Sequence, residues 1–106
     1  MKFEFNTHDY IRKINNSNSY FNTFLNKETL AAGILILKPG EEDTQLPHDS
    51  DEMYYILEGD GFLKIRNKDY SLKKGKAFFV PKHTEHYFFG NKKKLSVLYF
   101  FGGPDN

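Results

Sequence analysis

Histidine and carboxylate side chains have the greatest capacity for chemistry in this chain, because the sequence contains no cysteine. Two of the four histidines, His48 and His86, stand beside runs of apolar residues that are typical of strands. Glu52 follows His48 by four positions, and residues of equal parity in an extended segment face the same side. We therefore expect His48 and Glu52 to point inward from one strand, toward His86 on a later strand.

Two imidazoles and one carboxylate form a ligand set that suits a divalent transition metal and leaves coordination positions open for water or substrate. The ligand types alone leave zinc, iron, manganese, nickel and copper as candidates. With iron, such a site could activate oxygen, and with another ion it could polarise a carbonyl group or acidify bound water. The spacing by itself is weak evidence, since a histidine and a glutamate four positions apart are often incidental.

The composition limits the class of protein. A length of 106 residues predicts one domain over residues 1–106, large enough to bury a core without disulfides. The formal net charge of +1 argues against a nucleic-acid partner, and no apolar run approaches the ~18 residues of a membrane span. The first residues carry no apolar signal segment, so we expect a cytoplasmic protein without a membrane partner.

From residue 30 onward, short apolar runs alternate with turn-forming residues. The runs predicted as strands are Leu30–Lys38, Met53–Leu57, Phe62–Arg66, Tyr70–Leu72, Ala77–Val80, Glu85–Phe89 and Leu95–Phe101. Strands that recur every ~8–12 residues predict an all-β sandwich or barrel. Before them, Met1–Phe5 and Tyr20–Leu25 indicate strands, while Asp9–Ile14 fits either a helical turn or a strand end.

Several strands are apolar on both faces, for example Ile34–Leu37 and Leu98–Phe101. One face of each strand can fill a barrel, and the other face must also be covered. Residues 1–30 are expected to pack as N-terminal strands on the barrel or on a partner subunit. We therefore predict a homodimer, with coverage by residues 1–30 alone as the alternative.

Two motifs surround the candidate ligands. Their members are Gly40, Leu46, His48, Glu52 and Gly59 in the first motif, and Gly75, Pro81 and His86 in the second. In order and spacing the motifs resemble the two signature motifs of the cupin superfamily, in particular those of its small single-domain bacterial members. The resemblance implies an all-β, cupin-type double-stranded β-helix, which is a jelly-roll barrel, with one metal ion held by His48, Glu52 and His86.

The chain departs from the cupin pattern at Leu46, where cupins usually have the first histidine of the motif. Leucine cannot bind a metal, so the resemblance implies three protein ligands. The fourth coordination position would be occupied by water, a ligand molecule or an offset side chain. Gln45 is the best offset candidate. Its parity is wrong for a straight strand, but Pro47 can disturb the local backbone.

The resemblance leaves the reaction open, because cupins include oxygenases, isomerases and lyases as well as binding proteins. We predict a metal-dependent enzyme that acts on a small organic molecule. The alternative is a non-catalytic ligand-binding or sensor protein, which is metal-free if Leu46 has abolished the site. Tyr54 shares the parity of Glu52, so its hydroxyl is the candidate for orienting a substrate or donating a proton; the alternative is a core aromatic whose hydroxyl is satisfied locally. His83 is expected at the rim of the pocket, and His8 on the surface.

Overall fold

The computed structural model describes residues 1–104. Its elements are α1 (Thr7–Asn15), β1 (Phe21–Asn26), β2 (Ala31–Leu37), β3 (Glu52–Glu58), β4 (Phe62–Ile65), β5 (Lys68–Ser71), β6 (Ala77–Val80), β7 (His86–Phe89) and β8 (Leu95–Phe101). The strands form a five-stranded sheet in the order β1-β2-β8-β3-β6 and a three-stranded sheet in the order β5-β4-β7, all antiparallel. This architecture confirms the predicted all-β class. Within residues 1–104, no helix is long and apolar enough to cross a membrane.

The strands predicted after residue 30 are all present, and β6 and β8 have the predicted bounds. The largest shift is at β5, which begins at Lys68 rather than at Tyr70. Lys68 pairs with Ile65 across a two-residue turn, so the hairpin is tighter than the sequence suggested. Arg66 makes this turn possible by adopting a left-handed backbone conformation with φ of 56°.

The N-terminal segment differs from the prediction. No strand forms over Met1–Phe5, so that expectation is wrong. Asn6 instead caps helix α1, because its side chain accepts a hydrogen bond of 3.0 Å from the backbone N–H of His8. Phe5 turns its ring toward Phe24 of β1, with the ring centroids 5.1 Å apart. The alternating segment Met1–Phe5 therefore packs against β1 through Phe5 and does not form a strand.

Helix α1 covers the outer face of β2. Tyr10 and Ile14 lie one helical turn apart and are both buried. They form a cluster with Ile34 and Ile36, which we call the helix cluster. With the main core on its other face, all seven residues of β2 are buried. This part of the apolar outer surface is thus covered by helix α1 within residues 1–30, whereas the strand expected over Tyr20–Leu25 is present as β1 and extends the sheet beside β2.

The main core lies between the two sheets, on the inner side of β2. Its buried members are Ala31, Leu35, Leu37, Tyr54, Ile56, Leu63, Leu72, Val80, Phe88, Leu95, Val97, Tyr99 and Phe101. Strand β3 shows strict alternation over its first five residues, with Glu52, Tyr54 and Ile56 buried and the residues between them exposed. The alternation that places Tyr54 and Ile56 in the core therefore also places the Glu52 carboxylate at one end of that core.

Candidate metal centre

The ligand atoms of His48, Glu52 and His86 lie together at one end of the main core. One nitrogen or oxygen atom from each residue lies within 4.8 Å of the other two. Glu52 Oε1 is 3.3 Å from His86 Nε2 and 3.9 Å from His48 Nε2. Glu52 and His86 are buried, and His48 is partly buried. The structure therefore brings together the three ligands expected from the sequence.

His48 reaches this cluster from outside the sheet. The expectation that it shares a strand with Glu52 is wrong, because β3 begins at Glu52 and His48 lies in the irregular segment before it. The neighbouring strands explain where β3 begins, since Phe101 and Val80, the last residues of β8 and β6, are paired with Glu52. His48 is held instead by its backbone carbonyl, which accepts a hydrogen bond of 2.7 Å from the N–H of His83.

Glu52 carries an unusual oxygen atom. Its Oε1 is buried and makes no hydrogen bond, and no other buried side-chain nitrogen or oxygen among residues 1–104 lacks one. Leaving a buried polar atom without a partner costs about 1–3 kcal/mol, and more for a charged group. This oxygen faces two imidazole nitrogens, so three donor atoms of the types that bind zinc, iron, manganese and nickel surround one point. The residues present therefore fit a divalent transition metal.

His86 is oriented by its second ring nitrogen. Nδ1 donates a hydrogen bond of 2.7 Å to the carbonyl of Thr84, which leaves Nε2 facing the cluster. Burial by itself would lower the pKa of His86, but the Glu52 carboxylate and the Thr84 carbonyl outweigh burial and raise that pKa above its usual value. A cation at Nε2 would compete with the proton that this raised pKa favours.

Tyr54 connects His86 to Gln45. Its hydroxyl oxygen is 3.0 Å from His86 Nε2, and the hydroxyl donates a hydrogen bond of 3.1 Å to Gln45 Oε1. Burial and the charges of Glu52 and Asp43 raise the pKa of Tyr54 well above that of a free phenol. Tyr54 therefore keeps its proton at neutral pH, as a hydrogen-bond or proton donor requires.

Gln45 adjoins the cluster, whereas Leu46 does not supply a ligand. Gln45 Oε1 is 3.2 Å from His48 Nε2. The parity argument against Gln45 fails because residues 41–50 do not form a straight strand. The side chain of Leu46 is 76% exposed and lies at the mouth of the neighbouring cavity. The offset glutamine, and not the residue at the motif position, therefore faces the other candidate ligands.

Asp43 was not predicted from the sequence, although it adjoins the site. Its buried carboxylate accepts hydrogen bonds of 2.8 Å from Gln45 Nε2 and 2.9 Å from the backbone N–H of Phe88. In the sequence it follows Glu41 and Glu42 after a turn, a pattern that is typical of a solvated loop. No local signal distinguishes it from its acidic neighbours.

The other two histidines lie apart from the cluster. His83 occupies an exposed turn, where its Nε2 is 3.1 Å from the carboxylate of Asp49. His8 lies in the first turn of helix α1. Neither residue belongs to the group of ligand atoms described above.

A cavity of about 620 Å³ adjoins the cluster, within the size range of small-molecule sites. His48, Glu52, Tyr54 and Gln45 form its polar part. The apolar part is formed mainly by Tyr20, Phe21, Leu35, Leu46, Tyr99 and Phe101. No lysine or arginine among residues 1–104 lines this cavity. The arrangement is suited to a molecule that is mostly apolar and carries a polar group toward the cluster.

Comparison with known proteins gives a family and several relatives. The model of the cupin domain matches residues 33–101. An uncharacterised protein of Streptomyces coelicolor is 28% identical over 83 residues, which cover 78% of this chain and 79% of that protein. The 5-nitrosalicylic acid 1,2-dioxygenase of a Bradyrhizobium species is 31% identical over 70 residues, which cover 66% of this chain and 34% of the dioxygenase.

Solved structures confirm the predicted barrel topology. An RmlC-like cupin family protein from Methanocaldococcus jannaschii, described as a double-stranded β-helix, superposes with a TM-score of 0.72. The superposition covers 79% of each chain at 17% identity. At this level of identity the likeness shows the fold alone.

Proposed function

This chain belongs to the cupin family, and on that basis we propose that it binds one divalent transition metal ion and is a metal-dependent enzyme. The observation that carries the proposal is Glu52 Oε1, which is buried without a hydrogen bond 3.3 Å from His86 Nε2. A metal-free binding cavity, the alternative raised by Leu46, would leave this oxygen uncompensated whenever His86 is unprotonated. The donor set therefore favours a metalloprotein over an empty pocket.

His48, Glu52 and His86 would hold the ion, with Gln45 Oε1 as the fourth ligand. The hydrogen bond from His86 Nδ1 to the Thr84 carbonyl supports this role, because it directs Nε2 toward the site. A bound ion of this kind polarises a substrate oxygen or, if it is iron, activates oxygen. Zinc, iron, manganese and nickel all accept this mixture of nitrogen and oxygen ligands.

The substrate is proposed to be a small, largely apolar organic molecule with one polar group. The aromatic and aliphatic lining of the cavity would bind the apolar part, and its polar group would face the four candidate ligands. The Tyr54 hydroxyl would orient that group or donate a proton to it, since the raised pKa of Tyr54 keeps the phenol protonated. This assigns binding and proton donation to different parts of one cavity.

Among the oxygenase, isomerase and lyase reactions that the sequence left open, we favour the oxygenase. Two histidines and one carboxylate are the ligand set of many non-haem iron oxygenases. The similarity of this chain to a part of the 5-nitrosalicylic acid 1,2-dioxygenase supports the same class. Oxygen uptake by the iron-loaded protein with small aromatic acids and phenols is the matching activity screen.

Elemental analysis of untagged protein, purified without chelator or added metal, tests the metal proposal. We expect about one equivalent of a single transition metal per chain, as for other sites with three or four protein ligands. His86→Ala and Glu52→Ala should each lose the metal and keep the far-ultraviolet circular dichroism of the wild type. The exposed His83 gives the matched control, because His83→Ala should keep the metal.

Two outcomes contradict the metal proposal. One is a full metal complement in both ligand variants, which would locate the metal elsewhere. The other is wild-type protein that holds no metal even after incubation with zinc, iron, manganese and nickel salts. The second result would favour the binding or sensor function.

We also propose a homodimer through the outer face of β3, β6 and β8. Met53 is paired in the sheet with Phe79 on one side and with Phe100 on the other, so the three side chains form a row. Their exposed fractions are 42%, 54% and 36%. Helix α1 packs on β1 and β2 and leaves this row uncovered within residues 1–104. An apolar row of this kind favours association with a second copy.

Light scattering at micromolar concentration tests the dimer. The wild type should have the mass of two chains, and Phe79→Glu should have the mass of one, because it places a charge in the apolar row. Phe62→Glu is the matched control, since Phe62 is similarly exposed on β4 of the other sheet. A wild type with the mass of one chain contradicts the proposal.

A further inference from the structure

Gln45 can offer a metal ligand in only one orientation of its amide. The carbonyl oxygen can bind a metal ion, whereas the amide nitrogen carries two hydrogens and donates. We propose that Asp43 is a positioning residue, whose carboxylate holds the Gln45 amide with its carbonyl oxygen toward the metal site. This inference rests on the proposed function, because it concerns the fourth ligand of the same site.

The contacts of Asp43 determine the orientation of the amide. Gln45 Nε2 donates a hydrogen bond of 2.8 Å to Asp43 Oδ2, and the backbone N–H of Gln45 donates one of 3.3 Å to Oδ1. A carboxylate accepts hydrogen bonds but does not donate them, so the amide nitrogen must be the end that faces Asp43. Oε1 then faces the opposite way, toward His48 Nε2 at 3.2 Å and the Tyr54 hydroxyl at 3.1 Å.

Asp43 is itself held firmly. It is 8% exposed, and its carboxylate also accepts hydrogen bonds of 2.9 Å from the backbone N–H of Phe88 and 3.2 Å from the hydroxyl of Tyr20. Phe88 lies on β7 two residues after His86, so this bond ties the irregular segment to the strand that carries a ligand. A group with four hydrogen bonds on both oxygens cannot rotate without breaking several of them.

The departure from the cupin pattern at Leu46 explains why the orientation of the Gln45 amide matters. The side chain of Leu46 is exposed and carries no ligand atom, so the fourth contact comes from the neighbouring residue. An amide needs an external partner to distinguish its two ends, because the oxygen and the nitrogen are similar in size and position. Asp43 supplies that partner from the side away from the metal site.

Cobalt titration of the chelator-stripped full chain tests the inference, with visible absorption as the readout. Gln45→Ala and Asp43→Ala should each weaken Co²⁺ binding by about 10- to 100-fold, as is typical when the support of a ligand is lost. The double variant should bind Co²⁺ as Gln45→Ala does, because the positioning role of Asp43 requires the Gln45 amide. The cobalt absorption bands of Asp43→Ala should match those of Gln45→Ala.

The conservative variant Asp43→Asn separates positioning from a general structural role. Its amide oxygen can still accept from Gln45 Nε2, so most of the Co²⁺ affinity should return. Additive losses in the double variant overturn the inference, because they would mean that Asp43 acts independently of Gln45. Unchanged affinity in Gln45→Ala also overturns it, but leaves the proposed metal binding by His48, Glu52 and His86 intact if His86→Ala still abolishes binding. Failure of the wild type to bind Co²⁺ would instead contradict the proposed function.

A second pair of variants keeps the test available if Asp43→Ala does not fold. Gln45→Glu places a carboxylate at the 2.8 Å contact with Asp43, so repulsion should displace it from the site. Adding Asp43→Asn replaces one of the two carboxylates with an amide donor, and the double variant should bind Co²⁺ at least 10-fold more tightly. Equal affinities of the single and double variants would overturn the inference.

Discussion

The helix cluster and the candidate metal centre are both buried, but their chemistry differs. Tyr10, Ile14, Ile34 and Ile36 bury apolar surface under helix α1, which stabilises the fold. The candidate metal centre buries a carboxylate oxygen that makes no hydrogen bond, which destabilises the metal-free fold when His86 is unprotonated. Proteins retain costly polar groups mainly where function requires them. On the proposed function, the contrast distinguishes a region that maintains the structure from a region that is kept for binding.

The largest expected effect is in the helix cluster. Ile34→Ala should lower the free energy of unfolding by about 2–5 kcal/mol, because Ile34 is fully buried and its truncation leaves a cavity. Co²⁺ affinity of the folded protein should stay at the wild-type value. Urea unfolding of the stripped protein and cobalt titration check the two parts, with the exposed Leu30 as the control in Leu30→Ala. A parallel fall in affinity would show that the two regions are not independent.

An intermediate effect is expected at the metal centre, with the opposite sign for stability. Glu52→Gln should raise the free energy of unfolding of the metal-free protein by about 1–3 kcal/mol at a pH above the raised pKa of His86, because it removes a buried carboxylate oxygen that then has no hydrogen bond and no charged partner. The same change should weaken Co²⁺ binding by at least about 100-fold. Chemical unfolding and cobalt titration check the two parts.

Glu58→Gln is the matched control for Glu52→Gln, since Glu58 is exposed at the other end of β3. It should change neither stability nor Co²⁺ affinity. A Glu52→Gln variant that is less stable than the wild type at this pH would contradict the contrast between the two regions.

The smallest effect concerns pH. Because the pKa of His86 is raised in the folded protein, the protonated ring stabilises the metal-free fold below its unfolded pKa of about 6.5. That contribution should be lost as pH rises through the raised folded value. The free energy of unfolding of the metal-free wild type should therefore fall as pH rises over this interval. The decrease should be smaller in His86→Gln. Identical pH profiles of the two proteins would exclude this role of His86.

Local patterns predicted most of the sheets. The bounds of β6 and β8 agree with the apolar runs Ala77–Val80 and Leu95–Phe101, because turn residues interrupt the chain on both sides. Local patterns failed at the N-terminus, where the Asn6 cap starts a helix whose buried face exists only against β2. They also failed at His48, because the end of its neighbouring strands, and not its own residues, determines where β3 begins.

The sequence by itself determined the β architecture and the three candidate ligands His48, Glu52 and His86, because strand alternation and motif spacing are properties of short segments. The tertiary structure alone decided that Gln45 Oε1 faces His48 and that Asp43 accepts a hydrogen bond from the Gln45 amide. Asp43 bonds to Phe88, which is 45 residues away in the chain. No local pattern encodes a contact of that range, since it forms only when the irregular segment packs against β7.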